Sequence, residues 1–152
     1  MPEEEVLRRA HEDEAEGKAP STQAGEFVRE EIHHVREGKH GARSAKQAIA
    51  IGLSKARRAG VKLPAPGSNS SESVRRKAAQ DTKKGKQRKK RKPAAKRSRA
   101  TKGALKREGR QSASPRAMAR QARTSASRRT KGSRSAAAKK AARTRARNRT
   151  RR

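Results

Sequence analysis

Apolar side chains recur with a helical period in two adjoining stretches of the chain. In EFVREEIHHVREG, residues 26–38, Val28, Ile32 and Val35 lie at i, i+4 and i+7, with Phe27 alongside. The second stretch, SAKQAIAIGLSKARRAGVKLP, carries a stripe of small and aliphatic residues: Ala45, Ala48, Ile49, Gly52, Leu53 and Ala56. Because residues three and four apart share one helix face, this spacing predicts two amphipathic helices.

Local signals mark where these helices begin and end. Ser44 and Gln47 fit the S/T-x-x-E/Q capping box at a helix start. Gly38 and Gly60 suit the left-handed conformation that closes a helix, and Pro64 prevents the second helix from resuming. The sequence therefore predicts an αα-hairpin, with a linker at residues 18–25 before it.

Neither period continues beyond residue 65. Only 28% of residues are hydrophobic, one residue is aromatic, 39% are charged and the formal net charge is +31. Such a composition is typical of chains that bury too little apolar surface to offset the entropy lost on folding. The predicted fold class is mostly disordered with a small all-α helical hairpin and no sheet. Ala/Arg-rich segments at 114–126 and 135–147 favour additional helices once their charge is neutralised.

Charge divides the chain into three predicted parts: an acidic N-terminal arm at 1–23, the hairpin module at 24–64 and a disordered basic tail at 65–152. Residues 1–37 have a net charge of −6, residues 38–64 of +7 and residues 65–152 of +30. This asymmetry is typical of proteins that bind polyanions. The acidic arm is interpreted either as a solvated segment or as a competitor of nucleic acid for the tail.

The basic tail predicts binding to nucleic acid. Duplex DNA carries one negative charge per about 1.7 Å of axis, and each neutralised phosphate releases counterions. A tail that only keeps the protein soluble is the alternative, but solubility requires far less charge. The predicted nucleic-acid-binding residues are Lys39, Arg43, Arg57, Arg58, Lys83, Lys84, Lys86, Arg88, Lys89, Lys90, Arg91, Lys92, Lys96, Arg97, Arg128, Arg129, Lys139, Lys140, Arg143, Arg145 and Arg147. The tail has no aromatic residue for base stacking, so sequence-independent binding is expected, with duplex preferred over single strands.

The connector Gly38-Lys39-His40-Gly41 has two interpretations. KH domains clamp a nucleic-acid backbone with a helix–GxxG–helix element, and backbone amides before the second helix would suit a phosphate. A KH fold also needs a sheet, however, and no strand is predicted here. A plain turn with capping glycines is the alternative.

No metal site, cofactor or catalytic site is predicted. Cysteine is absent. The candidate ligands are the histidines His11, His33, His34 and His40. Adjacent His33 and His34 lie on different helix faces, however, and His11 lacks the second histidine of an HExxH motif, so a solvated, structural or phosphate-adjacent role is expected. No nucleophile, base and orienting group occur together, so a non-catalytic protein is expected. No run of apolar residues is long enough to span a bilayer, and no secretory signal is visible.

Residues 31–60 resemble a family of small, poorly characterised bacterial proteins. The resemblance rests on a Lys-Gln-Ala-Ile-Ala-Ile-x-Leu-Ser-x-Ala block, which here spans residues 46–56. Gly52 stands where the family more often has Ala, which either weakens the second helix or permits a closer contact. The resemblance implies a bacterial cytoplasmic protein with a basic tail, of a kind often described as DNA-binding or histone-like. It implies no activity or site.

Together these features predict a non-catalytic, nucleoid-associated protein that binds DNA through its basic tail. An RNA- or ribosome-associated protein is the alternative, because ribosomal RNA is also a polyanion. Self-association through residues 26–60 is a further expectation, since two short helices bury little surface. Binding to a membrane surface is not expected, because the basic segments lack an apolar face.

Overall fold

The computed structural model describes residues 4–87 and 94–150, and within these ranges all regular structure is helical. The α-helices are α1 (Glu4–Ala15), α2 (Pro20–Glu37), α3 (Ala45–Ala59), α4 (Glu72–Lys86), α5 (Ala95–Arg107), α6 (Pro115–Ser127) and α7 (Lys131–Thr150). A single 3₁₀ turn, Gln111–Ala113, precedes α6. None of the described helices is long and apolar enough to span a lipid bilayer.

The prediction of a mostly disordered chain with a two-helix hairpin is wrong. The two predicted helices exist as α2 and α3, but α1 packs on α2 and α4 packs on α3. The first unit of the fold extends over residues 1–117 and the second over residues 118–152. The described parts of the tail form helices α4 to α7. Because the tail contains few large apolar residues, burial of such residues does not explain why these helices form.

The signals that close α2 and that open and close α3 are confirmed, but α2 begins earlier than predicted. Gly38 (φ 79°) and Gly60 (φ 107°) close α2 and α3 in the left-handed conformation. The Ser44 hydroxyl accepts from the Gln47 amide, and the Gln47 side chain accepts in turn from the Arg43 amide. The predicted linker at 18–25 is wrong from Pro20 onward, because Pro20 occupies the first turn of α2, where its missing amide is not needed.

One apolar cluster joins α1, α2 and α3. Val6 and Ala10 of α1 pack with Ala24 and Phe27 of α2 and with Ala56 of α3. Phe27, the only aromatic residue of the chain, is completely buried in this cluster. The acidic arm is therefore bound to the rest of the fold by the apolar side of α1.

A second cluster draws residues of the tail onto α2 and α3. Ala113 of the 3₁₀ turn is completely buried with Val35, Ala42 and Ala48. The Arg36 guanidinium donates to the Ala113 carbonyl at 2.8 Å. This cluster consists mainly of alanine, and the tail contributes Ala113 to it. The tail sequence therefore shows no large apolar residue that would predict the contact.

Glycines allow backbones to approach where these elements meet. A Cβ on Gly52 of α3 would lie 2.7 Å from Val28 Cα of α2, and one on Gly85 of α4 would lie 2.1 Å from the Arg57 carbonyl oxygen. The Gly52 position thus permits a closer contact, as one of the two interpretations proposed. Close packing of this kind buries backbone and small side chains, which composition-based criteria for disorder do not count.

Asp81 fixes α4 on α3 with polar contacts. This carboxylate is almost completely buried, and the Ser54 hydroxyl donates to it at 2.6 Å. Lys77 of α4 lies 3.3 Å from the same carboxylate, and Arg58 of α3 lies 3.8 Å from it. A buried charge with several donors satisfies the requirement that such a group be paired.

Candidate nucleic-acid interface

Four of the predicted binding residues have partners within the first unit. Lys39 pairs with Glu37 at 3.2 Å, and Arg43 lies 3.7 Å from Glu108. Arg57 donates to the Pro64 carbonyl and Arg58 to the Ser54 carbonyl. Arg57 and Arg58 also lie in the last turn of α3, where positive charge compensates the helix dipole. The position of Arg57 and Arg58 in the last turn was predicted from the sequence, whereas the carbonyl and carboxylate partners of these four cations were not.

The connector forms a turn rather than an open phosphate clamp. The Gly41 amide donates to the Leu105 carbonyl at 2.8 Å, and the Ala42 amide donates to the Gly109 carbonyl at 3.1 Å. A Cβ on Gly41 would lie 1.8 Å from the Glu108 carbonyl oxygen, so glycine is required for this approach. Because these two amides are occupied by the chain itself, the plain-turn interpretation is the one supported.

The last turn of α4 presents a group of exposed lysines. Lys83, Lys84 and Lys86 are exposed there, and Gly85 between them contacts the backbone at the end of α3. The end of α4 therefore lies beside Arg57 and Arg58. The structure thus brings five predicted binding residues of distant sequence position to one pair of helix ends.

Five predicted residues, Arg88, Lys89, Lys90, Arg91 and Lys92, lie outside the described residues. Lys96 and Arg97 follow them on α5 and are exposed. The unit formed by residues 1–117 thus carries part of the predicted basic set on exposed helix positions.

The second unit carries the rest of the predicted set. Residues 118–152 contain 14 Lys or Arg and no acidic residue. Arg128 and Arg129 lie between α6 and α7 and are exposed. Every residue of α7 is exposed, including Lys139, Lys140, Arg143, Arg145 and Arg147. With 20 residues, α7 is about 30 Å long, so its cations form a long array in water.

Sequence reasoning omitted several basic residues of equal standing in this unit. Lys131, Arg134 and Arg149 of α7 are as exposed as the predicted ones, and so are Arg120 and Arg123 of α6. The acid-free run from residue 109 to residue 152 is the signal that would have included them.

The carboxylates of the acidic arm pair with nearby cations. Glu12 pairs with Arg8 within α1, and Glu14 lies 3.3 Å from Lys62. Asp13 and Glu16 both contact the Lys18 ammonium, and the hydrogen bond that this ammonium donates to Asp13 is the main reason that the pKa of Lys18 is raised above its usual value. These pairs use part of the arm's negative charge locally.

Residues 20–66 match the model of a family of unknown function (DUF6496), a span that contains α2, α3 and the connector between them. No curated protein and no solved structure matches the chain.

Proposed function

We propose that this protein is a non-catalytic, largely sequence-independent DNA-binding protein that acts by neutralising phosphates, with the bacterial nucleoid as its place of action. The observation that carries the proposal is the exposed, acid-free array of α7 within a segment of 14 basic residues. Cations that have no neighbouring carboxylate in sequence are available to phosphate oxygens, and counterion release then drives association.

The arrangement of α7 supports binding without base readout. Its cations are distributed around the helix rather than on one face, and several lie at like-charged i, i+4 spacings, such as Lys139 with Arg143 and Arg143 with Arg147. Like charges at this spacing destabilise a helix by roughly 0.2–0.5 kcal/mol per pair. A polyanion removes this repulsion, so binding and helix stability are expected to increase together.

Self-association has lost its original physical reason. It was expected because two short helices alone bury little surface. In the folded chain Phe27, Val35 and Ala48 are completely buried within the first unit. The proposal therefore treats the single chain as the binding species.

The salt dependence of DNA affinity tests the proposal. Fluorescence anisotropy of a labelled duplex of mixed sequence is recorded between 50 and 200 mM salt for the full chain and two triple variants. Arg143→Gln/Arg145→Gln/Arg147→Gln should weaken binding and reduce the slope of log K against log salt by as much as about 2.7, since each phosphate contact contributes roughly 0.9. A second duplex of different sequence should give the same affinities.

The control variant removes three cations that have carboxylate partners in the first unit. Arg8→Gln/Arg9→Gln/Lys62→Gln changes the net charge by the same amount, while these side chains pair with Glu12, Glu5 and Glu14. It should reduce the slope much less than the α7 variant. Equal effects of the two variants would show that net charge alone is acting, which would contradict an interface on α7.

RNA is the second candidate ligand, because phosphate neutralisation does not distinguish the two nucleic acids. Competition between unlabelled duplex DNA and structured RNA of equal phosphate content, at one salt concentration, separates them. The proposal expects DNA to compete at least as well as RNA. A clear preference for RNA would instead favour an RNA- or ribosome-associated protein.

A further inference from the structure

A buried carboxylate and two histidines come together where α2 meets its connector. Glu31 of α2 is completely buried, His34 follows one turn later, and His40 comes from the connector. One potential ligand atom from each of these three residues lies within 4.8 Å of the other two. The i, i+3 spacing of Glu31 and His34 places both on one side of α2.

A backbone contact fixes the orientation of the His40 ring. Its Nδ1 lies 3.0 Å from the Gly41 carbonyl oxygen, which can only accept, so Nδ1 carries the hydrogen. Nε2 is then the ring nitrogen available to a metal ion, and it lies 3.2 Å from Glu31 Oε1. Metal-binding histidines are oriented in this way, with the other ring nitrogen donating to a carbonyl or carboxylate.

The Glu31 carboxylate lacks aligned donors among the described residues. Neither of its oxygens receives a hydrogen bond of acceptable geometry from them. The Lys55 ammonium is an ion-pair partner by distance, at 2.7 Å from Oε2 and 3.3 Å from Glu30. Lys55 thus accounts for one oxygen of the buried carboxylate, and the other oxygen faces the imidazole nitrogen of His40. Buried charges in proteins are paired or coordinate metals, and a metal ion between Oε1 and the His40 nitrogen would complete the pairing of this carboxylate.

We propose that Glu31, His34 and His40 bind one divalent transition-metal ion, with Zn²⁺ as the preferred ion. Two ligands of a tetrahedral zinc ion, with bonds of about 2.0–2.1 Å, lie about 3.3 Å apart. The separation of 3.2 Å between His40 Nε2 and Glu31 Oε1 matches this edge. Two imidazoles and a carboxylate, without thiolate, form a ligand set suited to zinc and its neighbours in the first transition series.

The surroundings provide an entry route for the ion and space for a fourth ligand. His34 lines an open groove that also contains His33, Glu37 and Lys39. Coordination requires the His34 side chain to rotate from the groove towards the other two ligand atoms, which lie within 4.8 Å, and a water molecule entering from the groove would complete four-coordination. The two carboxylates of Glu30 and Glu31 outweigh the single charge of Lys55, so the site attracts a cation before the ion binds. With the divalent ion bound, the net charge is +1, and the lysine therefore does not prevent binding.

Metal binding at this site would hold the connector against α2. The connector is also held to residues 105–109 by the Gly41 and Ala42 amides. The ion is therefore expected to stabilise the first unit as a whole. This inference does not depend on nucleic-acid binding, because the site lies away from α7 in sequence and uses none of the predicted phosphate contacts.

Metal titration of the full chain tests the proposal. Protein expressed without a histidine tag and freed of metal by chelation is titrated with Zn²⁺ against a chromophoric chelator, and separately with Co²⁺ in the visible range. The expected results are one equivalent bound per chain, the intense d–d absorption of tetrahedral Co²⁺, and an increase in the thermal unfolding midpoint with Zn²⁺.

Substitution of the histidines locates the ion. His34→Gln removes a ligand from a partly exposed position, and we expect it to lower Zn²⁺ affinity at least tenfold while the unfolding transition without metal is retained. His33→Gln changes the neighbouring exposed histidine and should leave the affinity unchanged. Glu31→Gln should abolish the Co²⁺ spectrum, and His34→Gln decides the question if that variant does not fold.

Three results would overturn the proposal. The first is the absence of saturable Zn²⁺ binding in the full chain, which would indicate that His40 simply forms an ion pair with Glu31. The second is equal loss of affinity in His33→Gln and His34→Gln, which would indicate adventitious surface binding. The third is a Co²⁺ spectrum unchanged by His34→Gln.

Discussion

Gly52 determines how closely α2 and α3 pack. A Cβ at this position would lie 2.7 Å from Val28 Cα and 3.0 Å from the Phe27 carbonyl oxygen. Both neighbours are backbone atoms of a helix, which cannot move aside as a flexible side chain does. The helix pair that carries Glu31 and Lys55 therefore depends on the absence of a single methyl group.

Gly52→Ala is expected to destabilise the protein although alanine is the better helix former. Overpacking costs about 1–3 kcal/mol, whereas the gain in helix propensity is at most about 1 kcal/mol. A net loss of about 1 kcal/mol in the free energy of unfolding should appear in urea titrations followed by circular dichroism.

Gly25→Ala is the matched control for this substitution. Gly25 lies within α2, and a Cβ there meets nothing within 4 Å. Alanine should stabilise this position by about 0.5–1 kcal/mol. If the two alanine variants shift stability in the same direction, the close contact between α2 and α3 does not limit packing.

Residue-level signals predict those structural features that depend on a short segment of sequence alone. Ser44, Gln47, Gly38 and Gly60 were identified from sequence because capping depends only on neighbouring residues. Lys55 gave no such signal, because its partners Glu30 and Glu31 precede it by more than 20 residues. The cluster around Glu31 depends on tertiary packing, which spacing rules do not describe.

At the scale of elements, the packing of α4 on α3 shows why disorder was wrongly predicted for the tail. Ala78 and Asp81 are the buried residues of α4, and neither marks an apolar stripe. Gly85 and Ala113 likewise make close contacts without large side chains. A criterion based on hydrophobic content treats these positions as solvated, although backbone packing and one buried carboxylate hold them in place.

Asp81→Ala is expected to release α4 from α3. The Ser54 hydroxyl loses its acceptor and the cations of Lys77 and Arg58 lose their shared partner. Leaving such groups unsatisfied costs about 1–3 kcal/mol. Hydrogen exchange should show faster exchange of α4 amides, and urea titration should show the loss of stability.

Glu72→Ala provides the comparison on the same helix. Glu72 pairs with Arg76 in solvent, so its removal should cost at most about 1 kcal/mol. Equal losses in the two variants, or unchanged exchange of α4 in Asp81→Ala, would mean that the buried carboxylate does not hold the helix.

At the scale of the whole molecule, packing and free charge occupy different parts of the sequence. The buried residues run from Val6 to Ala113 among the described residues, and every described residue of α7 is exposed. The basic tail was correctly identified as the main source of charge, because composition alone determines charge. What composition could not give is which cations pair internally, as Arg57 and Arg58 do.

This separation predicts that removal of α7 affects binding but not folding. A chain ending at Thr130 loses ten of the 45 Lys and Arg residues and keeps every described buried residue. Its free energy of unfolding should stay within about 0.5 kcal/mol of the full chain, as for surface changes. Its DNA affinity should fall, and the slope of log K against log salt should decrease by several units, at most about 9.

The shortened chain still has a net charge of +21, so it shows whether DNA affinity depends on net charge or on α7. If affinity followed net charge alone, the loss would be modest, because most of the positive charge remains. An unchanged salt slope would therefore place the interface on the retained residues, such as the lysines at the end of α4 or Arg128 and Arg129. A large decrease with intact stability would identify α7 as the main phosphate-binding element, because the cations that the shortened chain lacks are those of residues 131–152.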